Sequence, residues 1–210
     1  MKSRFLVENW KNFINEEQEY TADSEYFDRQ YEIGLVPMSA KPFHEGHMSL
    51  IRKASDECKN VIVYVSTSDR KRKGEITIFG EDMAYIWENI LQKYLPENVE
   101  CQYGGSPVRN VYAKLEEGML EENLESHYAI YTGEEDKNRY SSKYYIDMIE
   151  RVHIRTMSRG EDTMPISGTL MRSYLSNASQ DKFLFLDGLP REVSDVDKEE
   201  IFNILFRRLN

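Results

Sequence analysis

Two short stretches carry the side chains best suited to handling a phosphoryl group. The first runs Lys41-Pro42-Phe43-His44-Glu45-Gly46-His47, with two imidazoles on either side of a glycine. A helix is expected to open there, and the free N–H groups and dipole of a helix N-terminus favour an anion. Gly46 keeps the backbone open to close approach. The two imidazoles supply N–H donors that can bracket an oxyanion as charge develops on it. The second stretch is Ile166-Ser167-Gly168-Thr169-Leu170-Met171-Arg172. Ser167 is a good N-cap, so its hydroxyl and the N–H groups after it can hold phosphate oxygens. Thr169 and Arg172 are three residues apart and share a helix face, which lets the Arg172 guanidinium reach the same oxygens as a fork. Each stretch also has a plain reading on its own: a pair of loop histidines, and a capped surface helix with a solvated arginine.

Weaker features fall where they would join such a site. Tyr131-Thr132-Gly133-Glu134-Glu135-Asp136 is a glycine–acid turn at the end of an apolar run, and Ser66-Thr67-Ser68-Asp69 leads into the basic run Arg70-Lys71-Arg72-Lys73. A basic run is usually a solvated loop, although here it could draw in a polyanion. The Asp and Glu residues show no metal-ligand spacing, so no protein-held metal is expected. Cys58 and Cys101 sit in no CxxC or zinc pattern and read as reduced core residues. His127 and His153 fall at strand positions and read as structural.

The elements that must position these residues alternate. Strands are expected at 31–36, 61–65, 99–103, 128–131 and 151–156. Helices are expected at 46–59, 80–94, from Pro107 behind a Ser106 cap, at 168–175 and at 196–209. The unbroken run Val61-Ile62-Val63-Tyr64-Val65 suits a strand covered on both faces, whereas Val99 to Tyr103 alternates and suits the sheet edge. Alternating β and α predicts an α/β, Rossmann-like parallel sheet with helices on both faces. Ligands bind beyond the strand C-termini of such sheets, so the loops at 37–47, 66–80, 132–139 and 157–168 are the ones to watch. The acidic lead segment places Phe5, Leu6, Trp10, Phe13 and Ile14 at near-helical spacing. The division that follows is an N-terminal helical extension (1–30), a main domain (31–175) and a C-terminal helical segment (176–210).

Pro42-Phe43-His44-Glu45-Gly46-His47 resembles the HxGH signature of the nucleotidyltransferase superfamily. Ile166 to Arg172 resembles the ISxTxxR motif of nicotinamide-mononucleotide adenylyltransferases and their relatives. The two occur in the family's order, each opening a helix, and the resemblance covers roughly residues 31–175. It implies transfer of a nucleoside monophosphate, AMP from ATP by the form of the second motif, to a small phosphate-bearing acceptor, with pyrophosphate released. It also implies roles. His44, His47, Lys41 and Arg172 would be the catalytic set, with Met38, Ser39, Gly46, Gly133, Asp136, Ile166, Ser167 and Thr169 around the nucleotide and Mg2+ arriving with its phosphates. Relatives carry Gly-x-Phe ahead of the histidines, where this chain has Met38 and Ala40. A cytidylyltransferase using CTP and an alcohol phosphate, and a nucleotide-binding protein that has lost turnover, stay open as alternatives.

Composition narrows the partners. The 210 residues carry 27 basic and 37 acidic side chains, a net charge of −10, which repels a nucleic-acid backbone. No apolar run is long enough to span a bilayer, and charge interrupts the N-terminus before a signal-like stretch can build. A cytoplasmic protein with no membrane or nucleic-acid partner is expected, and the lead helix leaves room for a homo-oligomer.

Overall fold

A strand that is apolar at successive positions needs cover on both faces, and the fold supplies it from two unequal layers. The computed structural model describes residues 29–120, 126–158 and 166–207. Its sheet has five strands: β1 (Tyr31–Met38), β2 (Cys58–Val65), β3 (Val99–Tyr103), β4 (Tyr128–Gly133) and β5 (Val152–Met157). They lie in the order β3-β2-β1-β4-β5 and every pairing is parallel. The helices are α1 (Glu45–Glu57), α2 (Gly80–Ile86), α3 (Pro107–Leu120), α4 (Gly168–Ser176), α5 (Ala178–Asp187) and α6 (Asp195–Arg207). This is the Rossmann-like α/β arrangement that the alternation predicts. The expected lead helix lies outside the described residues.

The two faces separate cleanly by strand parity. Val36, Met38, Val61, Val63, Val65, Ala129 and Tyr131 share one apolar cluster with α1, α2 and the C-terminal helices. Leu35, Tyr64, Tyr128 and Ile130 belong to a second cluster with Val111 and Leu115 of α3 and Tyr140, Tyr145 and Met148 of the β4–β5 connection. That connection is made of short 3₁₀ turns rather than an α-helix.

Two helix boundaries differ from the sequence reading. The first helix stops at Glu57, because Cys58 is already paired in register with Tyr31. Helix α2 stops at Ile86 and widens into a π turn over Trp87–Leu91, whose Trp87, Ile90 and Leu91 are buried. Helix α5 is absent from the sequence reading.

Strand β1 runs two residues past its expected end, to Met38, paired with Val65 of β2. Its pairing with β4, however, stops at Leu35↔Ile130. Strands β4 and β5 stay paired to Gly133↔Met157. The C-terminal ends of β1 and β4 therefore part, at the point where the strand order reverses. Pro37 sits in the gap and has no N–H to continue a ladder. The crevice this opens is where α/β sheets bind ligands.

Candidate active site

The loop leaving β1 turns sharply to reach α1. Ala40 adopts a left-handed φ of 48° and is buried, a conformation in which glycine is the unstrained residue. Phe43 is fully buried, edge-on to Trp87 with ring centroids 4.6 Å apart and stacked on His47 at 5.6 Å. His44 is the N-cap residue of α1 in extended conformation, so its ring is carried off the helix rather than along it. The His44 and His47 rings come within 3.8 Å, centroid to centroid.

Gly46 is required by space. A Cβ there would meet the Cε1 and Nδ1 of His44 at 3.2 Å and Ile166 at 3.6 Å. Glu45 N–H is taken by the Gly188 carbonyl at 3.0 Å, which ties the start of α1 to the C-terminal helices and removes that donor from any ligand. The ion pairs of Arg52 with Glu45 and Glu192 brace the same corner.

Burial sets the charge state of these groups. It pushes the His47 imidazole down to about 4, so the ring is neutral at pH 7 and acts as a hydrogen-bond donor rather than a cation. Its Nδ1 is buried with no hydrogen-bond partner among the described residues. Lys41 is also buried. Desolvation lowers it to about 8 against the partial compensation of Asp69, and its Nζ is held by the Ser68 carbonyl and, at 3.5 Å, by the Ser66 hydroxyl.

The second stretch approaches from the other side of the crevice. Ser167 caps α4, its hydroxyl accepting from Leu170 N at 3.2 Å, as the sequence predicts. Arg172 is buried and fully engaged. Its Nε donates to Glu75 Oε2 at 2.8 Å, Nη1 to the Lys41 carbonyl at 2.7 Å and Nη2 to Thr169 Oγ1 at 2.9 Å. One side chain thus locks the β1–α1 loop to α4.

The expected residues converge on two adjoining cavities. Met38, Ser39, His44, Gly46, His47, Gly133, Asp136, Ile166 and Ser167 line the first. Ser39, Lys41, His47, Ser167, Thr169 and Arg172 line the second. Ser39, His47 and Ser167 belong to both, so the two are arms of one site. Asp136 is paired with Arg139 at 3.0 Å.

Sequence reasoning missed several members. Leu50, Met157 and Ser158 join the first arm, beside Thr132 and Glu135 of the glycine–acid turn. Of the basic run only Arg70 lines the second arm, while Lys71 pairs with Asp69 at 3.1 Å and Arg72 and Lys73 are exposed. Glu75 had no signal of its own, since only folding brings it to Arg172. Trp87 is core and Tyr85 is half-exposed, so neither shapes the cavity. Among the described residues no three His, Cys, Asp or Glu side chains converge as a metal site, and no helix is long and apolar enough to cross a membrane.

Residues 33–75, which span β1, the histidine loop, α1 and β2, match the family model described as Citrate lyase ligase C-terminal domain. That stretch carries the histidine pair at the helix N-terminus on the crevice, with the Ser167–Arg172 turn opposite. The chain is similar to that family over this stretch. Two solved structures from Francisella tularensis are similar to it. One is a bifunctional NMN adenylyltransferase/ADP ribose pyrophosphatase with 18% identity and a TM-score of 0.49, the match covering 86% of this chain and 54% of that one. The other is the same enzyme type complexed with AMP and an Mn ion, with 20% identity, a TM-score of 0.46 and coverage of 85% and 55%. The chain thus spans about half the length of these neighbours. No curated protein matches it.

Proposed function

We propose that this protein is a nucleotidyltransferase of the HxGH type that transfers a nucleoside monophosphate, AMP from ATP, to a small acceptor bearing a phosphate or similar oxyanion. The observation that carries the reading is the convergence of His44, Gly46 and His47 with Ser167 on one crevice beside Arg172, Lys41 and Arg70. A pair of imidazoles, with His47 held neutral, beside a cation-lined arm suits a polyphosphate whose α-phosphorus lies between the two.

In this reading the acceptor oxygen attacks the α-phosphorus in line and the bond to the bridging oxygen breaks. The electron pair leaves with pyrophosphate. His44 and His47 donate to the phosphoryl oxygens as charge builds, and Ser167 and Arg172 hold the β- and γ-phosphates. Lys41 adds positive charge behind them. Because the donors are already oriented by Phe43, Trp87 and the α1 cap, they need no reorganisation during the reaction. A divalent cation, Mg2+ on this reading, would come bound to the nucleotide phosphates and neutralise part of their charge. Glu135 and Asp136 are the carboxylates facing that arm. Gly133 and Asp136, with Met38, Ser39 and Ile166, would border the nucleoside.

The test is pyrophosphate release with magnesium, offering ATP and CTP in turn against nicotinamide mononucleotide, alcohol phosphates and simple carboxylates. Release from ATP that requires one acceptor is the expected result. Release from CTP alone would make it a cytidylyltransferase. ATP binding with no release across the panel would favour a nucleotide-binding protein that has lost turnover.

A further inference from the structure

The second arm of the site holds more cation than the transfer reading uses, and an internal carboxylate already occupies it. Between β2 and α2 the chain forms a small hairpin. Arg70 N–H donates to Ile78 O at 2.8 Å and Ile78 N–H to Arg70 O at 3.2 Å, and a turn closes with Glu75 N–H on Arg72 O at 3.1 Å. Gly74 takes the left-handed position, φ 82°. The base of the hairpin is anchored. Asp69 accepts from Gly80 N at 2.9 Å, and a Cβ on Gly80 would fall 1.7 Å from the Thr67 carbonyl oxygen, so no other residue permits this closeness. The tip is held by the Arg72–Glu75 turn, the Glu75 carboxylate and Ile76, half-buried against the main core.

That carboxylate contacts Arg172 through one oxygen only, at 2.8 Å on Nε. The other two partners of Arg172 are neutral oxygens. Arg70, at the base of the same hairpin, faces the cavity with its Nε buried and no hydrogen-bond partner among the described residues. A buried guanidinium N–H without an acceptor is costly unless a ligand supplies one. Arg172 also lies close enough to disfavour the Arg70 charge, and Glu75 is the carboxylate that partly offsets this.

We propose that Arg70 is a further ligand for the terminal phosphates of the nucleotide, and that Glu75 stands in for those phosphates on Arg172 until they displace it. The proposal rests on the transfer reading only in requiring that a polyphosphate enters this arm. A phosphate group offers more oxygens and more charge than one carboxylate oxygen, and can engage both guanidinium forks at once. Displacement swings the hairpin tip while its base stays fixed. Nucleotides without terminal phosphates have nothing to place on Arg70 and leave Glu75 where it is, so the arm discriminates triphosphate from monophosphate.

The experiment is calorimetric titration of the full chain with inorganic tripolyphosphate and, separately, with AMP. Removing the competing carboxylate in Glu75→Gln should tighten tripolyphosphate by roughly three- to tenfold, the factor by which the competent state was under-populated, and leave AMP unchanged. Arg70→Ala should weaken tripolyphosphate by about tenfold through loss of a charge-assisted contact, again sparing AMP. Arg70→Lys, which keeps the charge and loses the fork, should fall between. Thermal melts identify any variant that is simply misfolded, and for such a position Glu75→Asp or Arg70→Lys decides. Tripolyphosphate binding that is unchanged or weaker in Glu75→Gln overturns the stand-in role. Equal losses for tripolyphosphate and AMP in Arg70→Ala overturn the ligand role. This pattern without turnover on any acceptor would sink the transfer reading and leave the inference standing. Turnover without the pattern would do the reverse.

Discussion

His44 and His47 are three positions apart on the page, yet their chemistry depends on residues far from both. Two imidazoles 3.8 Å apart cannot both carry charge cheaply, and burial keeps His47 neutral. The sequence shows the pair and the glycine between them, but the neutral state comes from burial of the His47 ring, on which Phe43 stacks while itself edge-on to Trp87. On the transfer reading, His44→Ala and His47→Ala should each lower kcat by about 10²–10³, the loss of one preorganised donor. The acid limb that His47 imposes on kcat/KM should lie near pH 4, since that profile reports the free enzyme. A limb near 6.5 that vanishes in His47→Gln would show that the ring is solvated and cationic. Gly46→Val is a sharper probe of space. Even a Cβ there sits 3.2 Å from the His44 ring, so the variant should lose nucleotide binding, read by titration with ATP, while its melting curve stays cooperative.

Elements were legible where a strong period or a cap fixes them and illegible where tertiary contacts do. The β-branched run of β2, the Ser167 cap of α4 and the alternation in edge strand β3 are local signals, and the structure matches them. Helix α5 has no clean apolar face: Phe183 and Leu184 are exposed beside a buried Phe185, so periodicity gave no warning. The 70–78 hairpin had a faint signal in Gly74 followed by alternating Ile76 and Ile78, masked by the basic run before it. The parting of β1 from β4, which makes the crevice, cannot be seen without knowing that those strands are neighbours. The Ser167 cap allows a test at this scale. Ser167→Ala leaves Leu170 N–H unpaired, which should cost about 1 kcal/mol of stability by chemical denaturation. The same turn walls both arms of the site, so ATP should bind more weakly than that loss alone would cause. A drop in stability with nucleotide affinity intact would reduce Ser167 to a purely structural cap.

Across the whole molecule the charged network predicts an asymmetric response to pH. His47 has its pKa depressed in the folded state, from 6.5 to about 4, so between those values the unfolded chain binds a proton that the folded one refuses. Stability must therefore fall as pH drops through that window. From pH 6.5 to 5 this one ring contributes about 2 kcal/mol of loss, at 1.36 kcal/mol per unit. His153, lowered by burial and by its neighbours His127 and Arg155, adds in the same direction. The carboxylates held low by partners, Asp197 by Lys93 and Tyr94 and Glu32 by Lys59, lose their contribution only further down, below the ordinary carboxylate range. On the alkaline side Lys41 works in reverse. Lowered from 10.5 to about 8, it is a buried charge that the fold bears below pH 8 and sheds above it, so stability should rise between pH 8 and 10. Denaturant midpoints from pH 5 to 9.5 should therefore climb through the acid range and again past pH 8. His47→Gln should flatten the first rise, and Lys41→Met should remove the second while raising stability at pH 7. A second rise that survives in Lys41→Met would trace to another group and would remove the case that the fold bears a buried charge at Lys41.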